Sequence, residues 1–439
     1  MELHLPVALP PGASMEEMID AVWRLPRDIV SSGYDAALAA LAGQVPMTIH
    51  SYPTGTECWT WIIPEKWTCR EARLETLDGR VVFSTADNPL HIASYSHPFA
   101  GEVDREELLA HLRVHPTLPD AVPYHFLLYR RDWGLCCSRA TRDTLTDPRY
   151  RVVIDAAFSF GALAVGEVTV EGERDDCIVL CAHLDHRAQV NDGLAGVVAG
   201  IEIMRALRGR SKPHFTYRLL IVSETIGSIA FLSHHEHLIP KMRGGMFLEM
   251  VGLDYPLALQ HSFDPDSTFD RTCRSVLSTR DPQLRTGRFL EIVTNDERQF
   301  NSPGVRVPMV SISRVKTPCG PTGVSVFDEY HSELDAPGLN SSARLRDTCD
   351  AVLAIIDAWE SNYVPVPRFR GEVFLSRFGI SYDYEVDPHY GQALFEVMHA
   401  LDGRRSVVDI AHDTGRPFTT VLHVVKQFRA AGLVTHLDA

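Results

Sequence analysis

The stretch that decides the fold is Cys177-Ile-Val-Leu-Cys-Ala-His183-Leu-Asp185-His186, followed closely by Asn191-Asp192-Gly193. Its first six residues are apolar and predict one buried strand, over residues 178–182. The polar side chains that follow would then lie at the carboxyl edge of a sheet, where α/β enzymes keep their sites. Neutral imidazole and carboxylate are the ligand types that a hydrolytic zinc site needs. The stretch therefore predicts a metal site at a sheet edge.

Strand-like and helix-like segments alternate outward from this stretch, between about residue 150 and about residue 363. We predict further strands at 218–223, 245–251 and 307–313, and helices at 194–207, 228–235 and 340–359. Such alternation is typical of a mainly parallel sheet with helices on both faces. The predicted fold class is α/β, with a mainly parallel mixed sheet flanked by helices.

The rest of the chain differs from this central part in its pattern of predicted helices and strands. Residues 14–45 have helical spacing of apolar residues, whereas short β-like runs separated by turn residues follow from Met47 to about Arg142. After Pro365-Val-Pro367, three short helices and a terminal β segment form a winged-helix pattern. The predicted organisation is a helical segment at 1–46, a small β-rich domain at 47–142, a catalytic domain at 143–364 and a winged-helix-like domain at 371–439.

Bulk properties exclude several classes of partner. The formal net charge of −15 argues against nucleic acid, because phosphate binding needs a basic surface. No apolar run approaches the roughly 20 residues of a membrane span, and Met1-Glu-Leu-His lacks signal-peptide character. The nine cysteines are scattered and odd in number, which favours reduced thiols. We therefore expect a cytoplasmic protein that binds neither nucleic acid nor membrane.

The C-terminal winged-helix pattern could indicate DNA binding. Its third predicted helix, however, offers only Lys426 and Arg429 as basic residues, and the unit holds more acidic than basic side chains. We therefore interpret it as a docking or oligomerisation module, through which the chain would form a homo-oligomer.

Five polar residues lie at or just beyond the predicted strand ends of the central part. A lone histidine at a strand end is usually structural, but an ordered set of metal-ligand and carboxylate residues is far less expected by chance. The five are His183, Asp192, Glu224, Glu249 and His331.

The order of the motifs around these residues resembles the zinc aminopeptidases of the bacterial leucyl aminopeptidase and glutaminyl cyclase type, over about residues 150–360. The motifs are His-x-Asp, Asn-Asp-Gly, a Glu before a Gly-Ser helix start, Glu-Met-Val-Gly and Tyr-His-Ser-x-x-Asp. The whole layout is similar to a bacterial group of aminopeptidase-like proteins, in which we also expect Asp296-Glu-Arg-Gln299 and Trp133-Gly134. That likeness implies that residues 1–46 belong to the catalytic domain and that 47–142 are inserted.

The resemblance also implies roles for individual residues. His183, Asp192 and Glu249 would bind one metal, Asp192 would also face a second metal position near His331, and Glu224 would be the general base. Three residues, Asp185, His186 and Asp335, would lie behind the ligands. Tyr330 or Arg298 could donate to the developing oxyanion. Substrate contacts are expected from Asp296, Glu297, Arg298 and Tyr330.

The chain departs from this pattern directly after the presumed base. The dizinc peptidases carry there a second Glu that holds the second metal, whereas this chain has Thr225, a poor zinc ligand. We therefore expect a single tightly held zinc, which His331 joins with Asp192 as the shared carboxylate. His186, three residues after His183, is a reserve ligand if its loop turns differently.

The leading hypothesis is a zinc-dependent hydrolase of amide or peptide bonds, aminopeptidase-like, that acts on a small peptide or amide substrate. A second hypothesis is an amidase, a deacylase or related acyl chemistry in polysaccharide or specialised-metabolite biosynthesis. A third is a non-catalytic, metal-free scaffold whose winged helix binds a partner; the joint presence of all five residues speaks against it. The acidic charge opposes a fourth, a transcription factor.

Overall fold

The computed structural model describes residues 9–316, 326–382, 385 and 388–438. Met1-Glu-Leu-His, on which the expectation about a signal peptide rests, lies outside these residues. The cysteines of the described ranges are all free thiols. None of the helices in those ranges has the length and apolar character needed to cross a membrane.

The strands follow one another along the chain with large differences in length. They are β1 Thr48–Pro53, β2 Glu57–Cys58, β3 Trp61–Ile62, β4 Lys66–Glu75, β5 Val81–Ser84, β6 Phe99–Asp104, β7 Leu112–Arg113, β8 Leu135–Cys136, β9 Arg149–Ser159, β10 Ala162–Val170, β11 Cys177–His183, β12 Thr216–Val222, β13 Met242–Leu248, β14 Leu257–Gln260, β15 Arg285–Gly287, β16 Met309–Arg314, β17 Tyr363–Pro367 and β18 Val434–Asp438.

The α-helices are interspersed with these strands, most regularly in the middle of the chain. They are α1 Met15–Val22, α2 Ser32–Ala42, α3 Arg105–His111, α4 Arg139–Asp143, α5 Leu194–Arg208, α6 Ile226–His234, α7 Thr268–Arg280, α8 Glu297–Asn301, α9 Ser342–Glu360, α10 Pro388–Ala400, α11 Val407–Thr414 and α12 Phe418–Ala430.

A large mixed sheet forms the centre of the protein, with the strand order β1-β10-β12-β11-β13-β16-β14-β15. The four central strands β12, β11, β13 and β16 are parallel to one another. Antiparallel pairing begins only on the two sides, at β10 and at β14. The predicted fold class, a mainly parallel mixed sheet flanked by helices, is confirmed.

Helices cover both faces of this sheet because its central strands are apolar on both faces. All seven residues of β11 are buried. Leu180 packs into a core shared with α5 and α9, whereas Val179 faces the core that contains α6. Helix α5 approaches the sheet closely at Gly196, where a Cβ atom would lie 1.9 Å from the carbonyl oxygen of Leu248. This close packing holds the start of α5 beside the carboxyl ends of β11 and β13.

A second, smaller sheet with the order β5-β4-β9-β6 forms the β-rich unit. Its own core includes Trp67, Leu74 and Tyr150. The predicted bounds of this unit, 47 and 142, differ from the observed pairing at both ends. Strand β1 pairs with β10 in the large sheet, whereas β9 pairs with β4 and β6 in the small one. Local composition cannot show which partner a strand finds, since that depends on contacts distant in sequence.

The C-terminal unit contains α10, α11 and α12 around a separate core that includes Leu394, Val408 and Phe428. The order of three helices and a terminal strand follows the sequence-based expectation. Strand β18 pairs antiparallel with β17, which precedes the three helices. The assignment of this unit as a winged helix stays a prediction. Arg271 of α7 contacts Asp409 of α11 at 2.9 Å and connects the unit to the central domain.

Glu167 in β10 contacts His50 of the outermost strand β1 and Arg218 of β12, so its charge can be used to test how this side of the large sheet is stabilised. Burial raises the pKa of Glu167, but contacts with His50 and Arg218 outweigh burial and lower the pKa to about 2 from 4.5. A lowered folded-state pKa means that stability is present above pH 4.5 and is lost as the pH falls toward about 2.

We expect Glu167→Gln to be less stable than the wild type at neutral pH, with a difference that shrinks below pH 4.5. Urea unfolding of both proteins across this pH range measures the difference. Glu173→Gln, at a side chain that is 64% exposed, is the matched control and should change little. A pH-independent difference for Glu167→Gln would contradict the assigned pKa.

Candidate metal centre

The carboxyl ends of three neighbouring parallel strands deliver the candidate residues to one edge of the large sheet. Strand β11 ends at His183, β12 ends two residues before Glu224, and β13 ends one residue before Glu249. The strand predicted over 245–251 therefore stops earlier, and Glu249 lies just beyond it. The loop between β11 and α5 adds Asp192, and the segment before α9 adds His331. The structure thus brings the five predicted residues to one place.

One group of possible metal ligands surrounds the first carboxylate oxygen of Asp192. The Nε2 atom of His183 lies 3.5 Å from Asp192 Oδ1 and 2.9 Å from Glu249 Oε1. All three side chains are at most 1% exposed. Atoms that bind one zinc ion at about 2.0–2.2 Å are about 3–4 Å from each other, so this spacing fits a shared cation. We refer to His183, Asp192 Oδ1 and Glu249 as the first group.

A second group surrounds the other oxygen of the same carboxylate. The Nε2 atom of His331 lies 2.9 Å from Asp192 Oδ2, and the Nε2 atom of His186 lies 3.8 Å from it. Ligand atoms of His183, His186 and Asp192 all lie within 4.8 Å of one another, so the two groups are adjacent. We refer to His186, His331 and Asp192 Oδ2 as the second group. His186, expected only behind the ligands or in reserve, therefore stands among them.

In the first group, Glu249 Oε2 is buried without a hydrogen-bond partner. In the second group, Asp192 Oδ2 and His331 Nε2 are buried and 2.9 Å apart, but their contact lacks the geometry of a hydrogen bond. A buried polar atom left unpaired costs about 1–3 kcal/mol, so such atoms usually have an explanation. A cation between them would supply the missing partner, and imidazole and carboxylate are ligands that suit zinc. The residues present therefore fit the metal that the resemblance implies.

The pKa shifts at the site show an excess of negative charge. Burial lowers the pKa of His183, but Asp185 and Glu249 outweigh it and hold the pKa well above its usual value. His186 behaves similarly: burial opposes protonation, yet the charge of Asp192 raises its pKa to about 9. Burial raises the pKa of Glu249 to about 7. Protons thus balance the buried carboxylates where a divalent cation could do so.

Asp185 connects both groups to the presumed base. Its carboxylate lies 3.6 Å from Nδ1 of His183 and 3.8 Å from Nδ1 of His186. It also accepts a hydrogen bond from the backbone N–H of Glu224 at 2.8 Å. A carboxylate behind a ligating imidazole orients the ring and increases its basicity. Asp185 therefore positions two imidazoles and Glu224 together.

Asp335 holds the loop that carries Asp192. Its carboxylate accepts the backbone N–H groups of Val190, Asn191 and Asp192 at 3.1, 2.9 and 3.0 Å. The side chain is completely buried. These bonds fix the position of the Asp192 carboxylate relative to both groups.

Backbone strain concentrates at this edge of the sheet. His186, Thr225, Met250 and His331 have φ values of 83°, 64°, 54° and 55°. Such left-handed conformations cost about 1–3 kcal/mol each in residues other than glycine, and they cluster at functional sites. Gly193 also has a positive φ, and a Cβ atom there would lie 2.7 Å from the imidazole of His183. The side chains of the site are therefore presented by loops with strained backbone conformations.

Glu224 stands at the wall of a cavity beside the second group. Its side chain is 24% exposed, and its Oε2 lies 3.5 Å from Nε2 of His186. The cavity has a volume of about 280 Å³ and is lined by Tyr124, Phe126 and Arg298 among others. Glu224 is therefore close to a possible metal ligand, His186, and is also accessible to a small molecule in the cavity.

The residues expected to contact substrate occupy different positions. Arg298 lines the cavity. Asp296 and Glu297 are completely buried. Asp296 accepts the backbone N–H of Thr225 at 2.9 Å, and Glu297 accepts the N–H of Asn295. Direct substrate contact by these two carboxylates would require them to leave these partners. Tyr330 stacks on the imidazole of His331, with ring centroids 4.0 Å apart.

Two contributors to the site escaped the sequence-based prediction. Tyr124, from the β-rich unit, lies with its ring 4.8 Å from that of His186 and donates its backbone N–H to the carbonyl of His331. Asn295 donates from its side chain to Glu249. Its position directly before Asp296-Glu297-Arg298 was a usable signal, whereas no local pattern distinguishes Tyr124 from a core tyrosine.

Comparison with solved structures defines the class of the fold. A zinc aminopeptidase from Bacillus subtilis matches 79% of this chain and 95% of its own length, with 15% identity and a TM-score of 0.57. The fold is thus that of aminopeptidase-like α/β proteins with a large mixed sheet. The chain belongs to the family described as "Domain of unknown function (DUF4910)", whose model matches residues 16–362.

Two matches from Clostridium acetobutylicum, one to a protein sequence and one to a solved structure, cover nearly the whole chain. One, described as a "Putative polysaccharide biosynthesis protein with aminopeptidase-like domain", is 28% identical over 417 residues, with 93% of each chain covered. The other is a crystal structure of a "putative peptidase", 27% identical, with 96% of each chain covered and a TM-score of 0.85. The β-rich and C-terminal units therefore fall within the matched length of these relatives.

The role of Asp335 can be tested through metal affinity. Asp335→Asn removes a carboxylate charge from the three N–H groups that hold the Asp192 loop, so we expect zinc affinity to fall about 10–100-fold. Competition against a chromophoric chelator measures this affinity. Asp328→Asn, in the same segment but at a 61% exposed side chain, is the control. Equal affinity in both variants would show that Asp335 does not position the site.

Proposed function

We propose that the protein is a zinc-dependent hydrolase of amide or peptide bonds that acts on short substrates. The observation that carries this proposal is the first group, whose Glu249 keeps an unpaired buried oxygen beside Asp192 and His183. Glu224 lies at an accessible cavity, 3.5 Å from His186 of the adjacent second group. The fold shared with a zinc aminopeptidase from Bacillus subtilis supports the same class of chemistry.

The first group would hold the catalytic zinc through His183, Asp192 and Glu249. When bound, zinc lowers the pKa of water toward about 7 and polarises the scissile carbonyl. Asp185 would keep the His183 ring oriented from the opposite side, at 3.6 Å from Nδ1. The His183 side chain itself is completely buried.

Glu224 would act as the general base and then as the general acid. Its carboxylate takes a proton from the attacking water, the new C–O bond forms, and the proton passes to the leaving nitrogen as the C–N bond breaks. The bond from its backbone N–H to Asp185 fixes the start of the segment that presents this carboxylate. The products are a carboxylate and an amine, which balances the hydrolysis.

The two groups differ in their expected affinity for a cation. The first group has two carboxylates and one imidazole, all buried. The second group has two imidazoles and the other oxygen of the same Asp192 carboxylate, and His331 is 32% exposed. Because carboxylate charge and burial strengthen cation binding, the first group should retain zinc more tightly. One zinc should therefore persist through purification, while the second position fills only with added metal.

Metal analysis after gel filtration tests this assignment. The wild type should retain about one zinc per chain, His183→Ala none, and His331→Ala about one, because the fourth ligand of a zinc site can be water. Added zinc should then bind a second time to the wild type but not to His331→Ala. His237→Ala, at an exposed histidine, is the control. Loss of the retained zinc in His331→Ala would contradict the division into two groups.

Substitution of Glu224, the proposed base, distinguishes its effect on zinc binding from its effect on turnover. Glu224→Gln should keep its zinc and lose turnover by about 10²–10⁴-fold, because the amide cannot accept the proton from water. Steady-state kinetics and metal content are measured on the same preparation. Glu173→Gln, at a 64% exposed surface position, serves as the control. Normal turnover of Glu224→Gln would show that another group is the base.

A deacylase or amidase is the second candidate, and the lining of the cavity favours it. The acidic residues among the described lining are Asp185 and Glu224. Asp185 is already engaged by two imidazoles and an N–H group. An aminopeptidase needs a carboxylate for the free α-amine of its substrate, and here only the proposed base remains. Substrates with a free or an acylated α-amine distinguish the two activities.

The C-terminal unit is proposed to serve docking or homo-oligomerisation. Its third helix, α12, carries Lys426 and Arg429 as its basic residues, too few for a phosphate-binding surface. Contact of Arg271 with Asp409 keeps the unit against the central domain.

A further inference from the structure

A cationic side chain with unused donors lines the cavity beside Glu224. Arg298 donates from Nε to the carbonyl of Asn295 at 3.0 Å and from Nη2 to the hydroxyl of Thr225 at 3.2 Å. A guanidinium carries five N–H donors in a planar fork, so most of its donors stay available. Within the described ranges, Arg298 forms no ion pair with a carboxylate.

The two acidic residues that precede Arg298 in the sequence form their hydrogen bonds with other groups. Asp296 bonds to the hydroxyl of Ser228 and the N–H of Thr225, and Glu297 bonds to Asn295 and Gln260. Both carboxylates are completely buried beneath the cavity wall. The guanidinium is therefore held in place without being neutralised.

Beside its polar residues, which include Asp185, His186 and Gln299, the wall has a large apolar and aromatic part. Ile29, Trp61, Phe126 and Leu128 face the same space as Arg298 and Glu224. A volume of about 280 Å³ suits a small ligand, and pockets of this type combine apolar area with a few polar anchors. A guanidinium in such surroundings favours an anion, because Arg and carboxylate form strong, often bidentate, hydrogen bonds.

We propose that Arg298 binds a carboxylate of the substrate and that the substrate is a small N-acylated amino acid with an apolar side chain. The carboxylate would pair with the free donors of Arg298, and the apolar side chain would pack on Trp61 and Phe126. An acylated nitrogen carries no charge, which suits a cavity without a spare carboxylate. This inference rests on the proposed amide hydrolysis and names its substrate class.

A pair of substrates that differ in one group tests the role of Arg298. The probes are N-acetyl-L-leucine and N-acetyl-L-leucinamide, which differ only by carboxylate or carboxamide. The wild type should prefer the carboxylate. A hydrogen bond to a charged group contributes about 1.5–3 kcal/mol, so Arg298→Gln should raise KM for N-acetyl-L-leucine about 10–100-fold. Kinetics on N-acetyl-L-leucinamide should change less than about 3-fold under the same energetic argument.

Two further variants sharpen the comparison. Arg298→Lys should recover part of the lost KM, because it restores the charge but not the planar fork. Arg288→Gln, at an 88% exposed arginine, is the control and should behave as the wild type. Thermal unfolding of each variant verifies that the fold is kept.

Different failures point to different errors. An equal loss of kcat for both substrates in Arg298→Gln would show that Arg298 serves the oxyanion, and equal wild-type rates for both would also overturn the proposal. If the wild type hydrolyses neither probe, the proposed amide hydrolysis is wrong for these substrates. Calorimetric binding of the two probes then tests carboxylate recognition by Arg298 independently of turnover. Tighter binding of N-acetyl-L-leucine than of its amide, lost in Arg298→Gln, would support carboxylate recognition; equal binding would refute it.

Discussion

Burial of several carboxylates at one edge of the large sheet is the constraint on which the site depends. Asp185, Asp192, Glu249 and Asp335 are each at most 2% exposed, and buried negative charges are costly unless they are paired. Asp335 accepts hydrogen bonds from three backbone N–H groups. Asp185 accepts one and lies 3.6 and 3.8 Å from the Nδ1 atoms of His183 and His186. Glu249 Oε2 has no hydrogen-bond partner, and Asp192 Oδ2 contacts His331 without forming a hydrogen bond. The surplus charge therefore lies where the strand ends place the histidines, and the proposed cation would balance it.

Segments distant in sequence hold this arrangement together. Arg27, completely buried, donates to the carbonyls of Leu184 and Gln189 in the loop between β11 and α5. Asp28 pairs with Arg187 of the same loop at 2.5 Å. From the β-rich unit, Tyr124 contacts the loop that carries His331. The helical start and the β-rich unit therefore contact the loops of the site directly, in addition to their packing in the core.

The sequence predicts those site residues that directly follow apolar strands, because the carboxyl ends of parallel strands must meet at one edge of the sheet. His183, Glu224 and Glu249 are of this kind. His186 could not be placed, since its position depends on a left-handed turn at φ 83° that no neighbouring residue predicts. The burial of Asp296 and Glu297 was equally hidden, because charged runs are usually solvated. The limits of the β-rich unit depend on the pairing of β9, a contact far apart in sequence.

One side chain, Thr225, connects the metal site with the substrate cavity. It stands directly after Glu224, accepts a hydrogen bond from Arg298 and lies near the second group. A glutamate there would bring a carboxylate against the Arg298 guanidinium and offer a charged ligand beside His186. Threonine does neither, so the second group has only imidazoles and a shared oxygen, and Arg298 has no carboxylate partner at this position. The proposed weak second metal position and the proposed anion-binding role of Arg298 would therefore both depend on this one residue, for the same electrostatic reason.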